Sequence, residues 1–216
     1  MNLEIWSNGL IDRVTHTKFL GVFIGEKINW KKHIEYISNK LSKCLGIIKK
    51  ARRNLPQKAL LTLYNTFAYP YFTYCVQVWG NSYLSNRNRL IVIQKSLLRI
   101  VTGSEYYAHT AQLFKDNNVL KLDEIYQYTI SIFMYKLHNS MLPEIFKEMF
   151  VLNYNVHSYD TRQCNHYKLP LCHSNVSKKS IRYAGPTIWN KISETIRLVP
   201  TLNSFKTSIK YILLGK

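Results

Sequence analysis

Acidic side chains are scarce in this sequence. Twelve Asp and Glu stand against thirty Lys and Arg in 216 residues, a formal net charge of +18 at pH 7. Only four of the acids are aspartates (Asp12, Asp116, Asp123 and Asp160), and no two of these are neighbours. Nucleotidyl transfer by two metal ions needs carboxylates that converge on Mg²⁺, and a ribonuclease H-like site needs a similar cluster, so neither chemistry is supported. Asp123-Glu124 falls at a helix start, where carboxylates complement the helix dipole. Long apolar runs are missing too: no stretch of 18 uninterrupted apolar residues exists, which excludes a spanning helix. Met1-Asn2-Leu3-Glu4 carries no basic region and leads into no apolar block, so no signal peptide is read and an intracellular location, nuclear or cytoplasmic, is expected rather than secretion. The four cysteines (Cys44, Cys75, Cys164, Cys172) form no Cys-x-x-Cys pair, which points to a reducing compartment without a disulfide framework. His33-Ile34-Glu35 matches half of a zinc-deaminase signature, but the Pro-Cys-x-x-Cys half is missing. Cys164, His166, Cys172 and His173 fit no common zinc spacing. No catalytic residue, metal site or cofactor is therefore expected.

Hydrophobic residues make up 46% of the chain, enough for a core, so this is not a disordered basic tail. The charge is segregated. Residues 1–26 are slightly acidic, while 27–53 hold nine Lys and Arg against the single acid Glu35. Residues 54–102 contain no acid at all. Residues 103–150 are mildly acidic, and 151–216 turn basic again, with only Asp160 and Glu194 as acids. A field of this size and sign favours a polyanionic partner, with an anionic membrane surface second.

The pattern predicts a mainly α protein with a small N-terminal antiparallel β element. Leu3–Trp6 and Leu10–Val14 flank Asn8-Gly9, a strong hairpin signal, and Lys18–Ile24 reads as a third, more buried strand. Three strands look like the edge of a larger sheet, so the start at Met1 reads as a truncation. The clearest helix follows: Trp30, Ile34, Ile37, Leu41, Cys44, Leu45 and Ile48 recur at spacings of three and four, with Asn29 as the expected cap. Gln57 to about Trp79 reads as a central helix, apolar on most sides and kinked at Pro70. Asn86–Thr102 presents Leu90, Ile93, Leu97, Leu98 and Val101 inward, with Gly103 as its stop. Further helices are expected over 110–117, 122–139 and 143–150, then an irregular polar stretch over 151–180. Two amphipathic helices, 186–196 and 203–214, close the chain.

On the first long helix Lys32, Asn39, Lys43, Lys50 and Arg53 lie opposite the apolar face. The lysines there have almost no acid on their own helix to pair with, so they repel one another unless a polyanion neutralises them. Lys32, Lys43, Lys50 and Arg53 are thus the leading candidates for phosphate contact. Arg87, Arg89, Lys95 and Arg99 on the third helix are a second choice. The segment from Arg162 to Arg182 mixes basic residues with Tyr159, Tyr167 and Tyr183, a composition suited to base stacking and to a half-exposed loop alike.

The order of several short motifs resembles a known family. Lys18-Phe19-Leu20-Gly21-Val22 is followed by Ile28-Asn29-Trp30-Lys31-Lys32-His33-Ile34, then Leu55-Pro56, Tyr69-Pro70 and Val78-Trp79-Gly80. Ile93–Val101, Phe133–His138, Thr161-Arg162 and Ser180–Asn190 complete the series. This is similar to the C-terminal part of the reverse transcriptases encoded by Jockey-like non-LTR retrotransposons. The resemblance implies a palm edge over 1–26, a thumb-like three-helix bundle over 27–102 that holds template–primer duplex, a helical connector over 103–150 and a basic C-terminal region over 151–216. It further implies a fragment. Endonuclease, fingers and the catalytic Asp pair that would bind Mg²⁺ in the parent polymerase lie outside this sequence, and Gly25 stands where the family often has Asp. The partners it implies are an RNA or DNA template–primer and a palm domain supplied from elsewhere, with no membrane and no small-molecule substrate. The rival reading of the same residues is a helical scaffold that binds protein.

Overall fold

The computed structural model describes residues 13–156 and 164–216, together with the backbone of residues 4–5 and 9–10. Asn8, Asp12, Tyr159, Asp160 and Arg162 lie outside the described residues. Strand β1 (Glu4–Ile5) pairs antiparallel with β2 (Gly9–Leu10), Glu4 opposite Leu10. A second antiparallel pair joins β3 (His16–Phe19) to β4 (Val22–Gly25), with Phe19 opposite Val22. The stretch expected as one buried strand is therefore a hairpin. The chain reverses at Leu20-Gly21, where φ is 44° and 81°, the left-handed pair that a two-residue hairpin turn demands. Glycine reaches that region freely and leucine rarely does, so the sequence carries no familiar turn signal. β3 is exposed along its whole length, and Val22 is the buried residue of the hairpin. The Tyr74 hydroxyl donates to the Leu20 carbonyl at 2.6 Å and fixes the hairpin tip to the helical body.

Helix α1 (Lys31–Ala51) buries His33, Ile34, Ile37, Leu41, Cys44 and Ile48 along one stripe. This is the face that the spacing of three and four dictates. Trp30 precedes it in the left-handed region at φ 61°, and the Asn29 side chain accepts the Lys31 N–H at 3.2 Å. The expected cap residue thus acts from one position further out.

The central helix is interrupted. α2 (Gln57–Leu63) widens into a π-turn over Tyr64–Ala68 before α3 (Tyr69–Thr73), and α4 (Val76–Trp79) follows a left-handed Cys75 at φ 50°. Pro70 has no N–H to offer the preceding turn, and the wider turn just before it accommodates the missing bond. Leu60, Tyr64, Phe72, Val76 and Trp79 are all buried, so the segment is central despite its breaks. The Trp79 indole N–H donates across the break to the Tyr74 carbonyl at 2.9 Å.

Helix α5 (Leu84–Thr102) lies along α1 and ends on Gly103 at φ 71°. Leu90, Leu97, Leu98 and Val101 point inward, and so does Gln94, a polar residue in the same apolar face. Its amide is fully used: Nε2 donates to the Leu120 carbonyl at 3.0 Å and to the Tyr64 hydroxyl at 3.3 Å, while Oε1 accepts the Leu122 N–H at 3.0 Å. A buried amide so satisfied costs little and pins three segments together.

After α6 (Thr110–Asp116), helix α7 (Leu122–His138) packs against α3 and α4 and also against α10 (Ile181–Trp189) and α12 (Leu202–Leu214). Short helices α8 (Glu144–Lys147), α9 (Asn175–Lys179) and α11 (Glu194–Arg197) fill the connections. α10 begins five residues before Pro186, not at it as the sequence suggested. Ser180 provides the extended entry, and Gly185 lies so close to Met134 that a Cβ there would meet its sulfur at 2.8 Å. Within the stretch read as irregular, Leu152 and Tyr167 form one antiparallel bridge, and the Tyr167 backbone donates its N–H to Asn190 Oδ1 at 3.1 Å while its carbonyl accepts from Asn190 Nδ2 at 2.9 Å. One continuous set of buried side chains runs from Ile34 to Leu214.

Candidate nucleic-acid interface

The outer side of α1 is built by its inner side. Burying the Ile34–Leu41–Ile48 stripe turns Lys32, Lys43 and Lys50 to solvent within roughly 20° of one another, over about 27 Å of helix. All three are exposed. Their circumstances differ. Lys32 lies 3.5 Å from the carboxylate of Glu35, the single acid of residues 27–53. Both side chains of that pair are about half exposed, and an ion pair of this kind contributes little and yields readily to a stronger anion. Lys43, Lys50 and Arg53 have no ion-pair partner among the described residues.

At the C-terminal end of α1 the charge becomes concave. Gly46, Lys49, Lys50, Arg52, Arg53 and Asn54 line an open depression of about 860 Å³, and no carboxylate among the described residues borders it. Arg52 Nη2 donates to the Gly103 carbonyl at 3.3 Å, which ties the end of α1 to the end of α5 and fixes one wall. Basic residues in a last helical turn offset the helix dipole, equivalent to about half a negative charge. Four cations exceed that by a wide margin. Lys49 and Arg52 were not singled out from the sequence. The helical period places Lys49 about 100° from Lys50, and the two share a site only because the helix ends there.

The second-choice residues are divided by the fold. Arg89 Nη2 donates to the Asn39 side chain at 3.3 Å, so Arg89 joins the exposed side of α1. Lys95 is half-buried on α5. Arg87 is largely enclosed, ion-paired with Asp123 at the start of α7, and its Nε donates to the Ser82 carbonyl at 2.9 Å. Arg99 Nε donates to the Ala108 carbonyl at 3.0 Å. Arg87 and Arg99 therefore connect segments of the fold, through partners 36 and 9 residues away along the chain that helical spacing could not reveal. In the C-terminal region Lys178 and Arg182 are exposed, Tyr167 is buried, and Arg162 and Tyr159 lie outside the described residues.

On the inner face of α1, His33 and Cys44 read as structural. His33 is buried edge-on against Trp79, ring centroids 5.7 Å apart, and burial lowers its pKa to about 4. Its Nδ1 accepts the Phe23 N–H at 3.4 Å and so links α1 to β4. Cys44 donates its thiol to the Phe67 carbonyl at 3.4 Å, and burial raises its pKa. Among the described residues no three His, Cys, Asp or Glu gather as a metal site would require, and no helix is long and apolar enough to cross a membrane.

Sequence comparison finds part of the chain similar to mobile-element polymerases. It is 26% identical over 121 residues to the "Probable RNA-directed DNA polymerase from transposon BS" of Drosophila melanogaster, covering 53% of this chain and 13% of that protein. It is 28% identical over 112 residues to the corresponding probable polymerase of the X-element, covering 50% and 12%, and 26% identical over 125 residues to that of the mobile element jockey, covering 56% and 14%. Both are from the same species. The matched segment is thus about an eighth of the length of these relatives. No family model and no solved structure matches.

Proposed function

We propose that this chain, a relative of the RNA-directed DNA polymerases of non-LTR retrotransposons, is the part of such an enzyme that grips template–primer duplex, with the catalytic carboxylates supplied from outside it. One observation carries the reading: the depression of Lys49, Lys50, Arg52 and Arg53, bordered by no carboxylate among the described residues and continuing along α1 to Lys43. A row of cations on a rigid helix meets phosphates at positions that do not depend on base identity, as a polymerase copying any sequence requires. Exposed lysines carry no sequence readout of their own, and the binding they give is salt-dependent through counterion release. The names of the relatives supply the class of polyanion.

The test is a salt titration of duplex binding by the full chain. Replacing Lys43, Lys50 and Arg53 together by Gln lowers affinity and flattens the plot of log K against log salt by roughly one unit per lost contact. An unchanged slope in the triple variant contradicts the grip. A scaffold reading draws on the exposed hairpin, where Phe19 and Leu20 are 62% and 73% exposed, with no covering element among the described residues. It predicts partner binding indifferent to salt and to these three residues.

A further inference from the structure

A second site lies away from α1's basic end. The Lys27–Trp30 turn, the α4–α5 connection and the start of the C-terminal helices enclose a mostly apolar cavity of about 450 Å³. That is within the roughly 300–1,000 Å³ typical of small-ligand pockets. Its walls include Trp30 and Tyr83, and its charged lining residues are Lys27 and Lys179, with no carboxylate among them. Two polar atoms in this lining are buried without a hydrogen-bond partner among the described residues: Lys179 Nζ and Ser82 Oγ. Lys179 lies against the Tyr83 ring instead, and burial lowers its pKa, with the Arg87 charge adding to the effect. Lys179 is half-buried and its ammonium rests on the Tyr83 ring with no anion beside it among the described residues, while a buried hydroxyl without a partner is costly.

The backbone around the cavity is also held against its preference. Ile28 and Trp30 both sit at positive φ, 47° and 61°, a region that a β-branched residue in particular avoids. The Asn86 side chain donates to the Asn29 carbonyl at 3.0 Å and holds that turn against α5. Strain of this kind persists where surrounding contacts enforce it and is concentrated at ligand clamps. The cavity therefore combines aromatic walls, a cation without an anion, a hydroxyl without a hydrogen-bond partner, and a turn locked into an unfavourable shape.

We infer that this cavity binds a single unpaired nucleotide, its base against the Trp30 and Tyr83 walls and its phosphate neutralised by Lys27 and Lys179. A nucleotide supplies both things the lining lacks, a flat apolar face and an anion. Stacking on aromatic side chains tolerates any base, and the Asn81 amide, also in the lining, gives its edge a hydrogen-bonding partner. The inference deepens the duplex-gripping reading and rests on it for the source of the nucleotide, the unpaired end of a strand. A free nucleoside monophosphate offers the same chemistry.

The experiment compares four RNA probes on the full chain: a blunt duplex, the same duplex with one unpaired nucleotide at either end, the same with an abasic unpaired unit, and free UMP. The unpaired nucleotide is expected to tighten binding roughly tenfold over the blunt and abasic duplexes. Lys179→Met and Tyr83→Leu remove that gain and leave blunt-duplex affinity and its salt slope in place. In the unsubstituted chain, 4-thiouridine at the unpaired position cross-links to residues 27–30, 81–84 or 176–181, a readout independent of any variant's folding. Free UMP that cancels the gain also supports the site and makes mononucleotides a source. Equal binding of blunt and extended duplexes, with the salt slope intact, overturns the inference while sparing the basic grip, and leaves the apolar rim to a protein surface. If no duplex binds, the grip fails, and direct UMP binding decides the cavity: lysine-dependent binding supports it, and none overturns it.

Discussion

His33 shows how one residue's surroundings decide its role. In the sequence it stands beside an exposed glutamate, Glu35, as half of a metal-enzyme signature. In the fold it is sealed between β4 and Trp79. Burial disfavours the charged imidazole, so the native state holds its pKa at about 4 while the unfolded chain has the ordinary value near 6.5. Between those values the unfolded chain binds more protons, so acidification favours unfolding and stability falls as pH drops from 6.5 to 4. His138 and His166, lowered mainly by burial and further by Arg197, act in the same direction. Urea midpoints measured at pH 7 and pH 5 are expected to drop in the unsubstituted chain by more than in His33→Gln. One proton sets a ceiling of about 1.4 kcal/mol per pH unit on the difference. Identical pH dependences contradict the assignment. Gln94 teaches the converse lesson. It interrupts an apolar face and looks like a lapse in the pattern, yet its three partners lie in Tyr64, Leu120 and Leu122, which only tertiary structure brings together.

At the scale of elements, long amphipathic helices were legible and local reversals were not. α1, α5, α7 and α12 follow spacings of three and four, and their ends fall within two residues of the expected positions. Periodicity says nothing about a turn made by a residue that dislikes it. Leu20 hides the β3–β4 reversal inside an apolar run, and Cys75 does the same between α3 and α4. Pro186 misled in the opposite way: proline is favoured in a first turn, but here Ser180 starts the helix and proline lies inside it. The Leu20 turn is itself testable. Asn tolerates the left-handed region far better, so Leu20→Asn is expected to raise stability by about 0.5–1 kcal/mol, read from the urea midpoint at constant slope. Loss of stability would mean that the exposed leucine contributes packing that the hairpin needs.

For the molecule as a whole, the charge distribution and the fold divide the work. A net charge of +18 opposes compaction by self-repulsion, and the fold answers with selective pairing. Asp123 takes Arg87, Glu26 takes Arg13, and Glu124 takes Lys121. The end of α1 receives no such partner among the described residues. That the lysines of α1 face outward was readable from the helical period. That Lys49 and Arg52 complete a concavity there, and that Arg87 and Arg99 are committed to the fold, was not, because each depends on where helices end or cross. The cavity beside Trp30 was equally hidden, being assembled from segments about 150 residues apart in sequence.

The central claim is that α1's outer side receives a phosphate backbone. The most direct measurement is lysine acylation of the full chain with and without a saturating RNA–DNA duplex, mapped residue by residue at low salt. The account predicts strong protection of Lys43, Lys49 and Lys50, ahead of the chain's other lysines and lost as salt is raised. Duplex that binds while these three react as freely as before would contradict it.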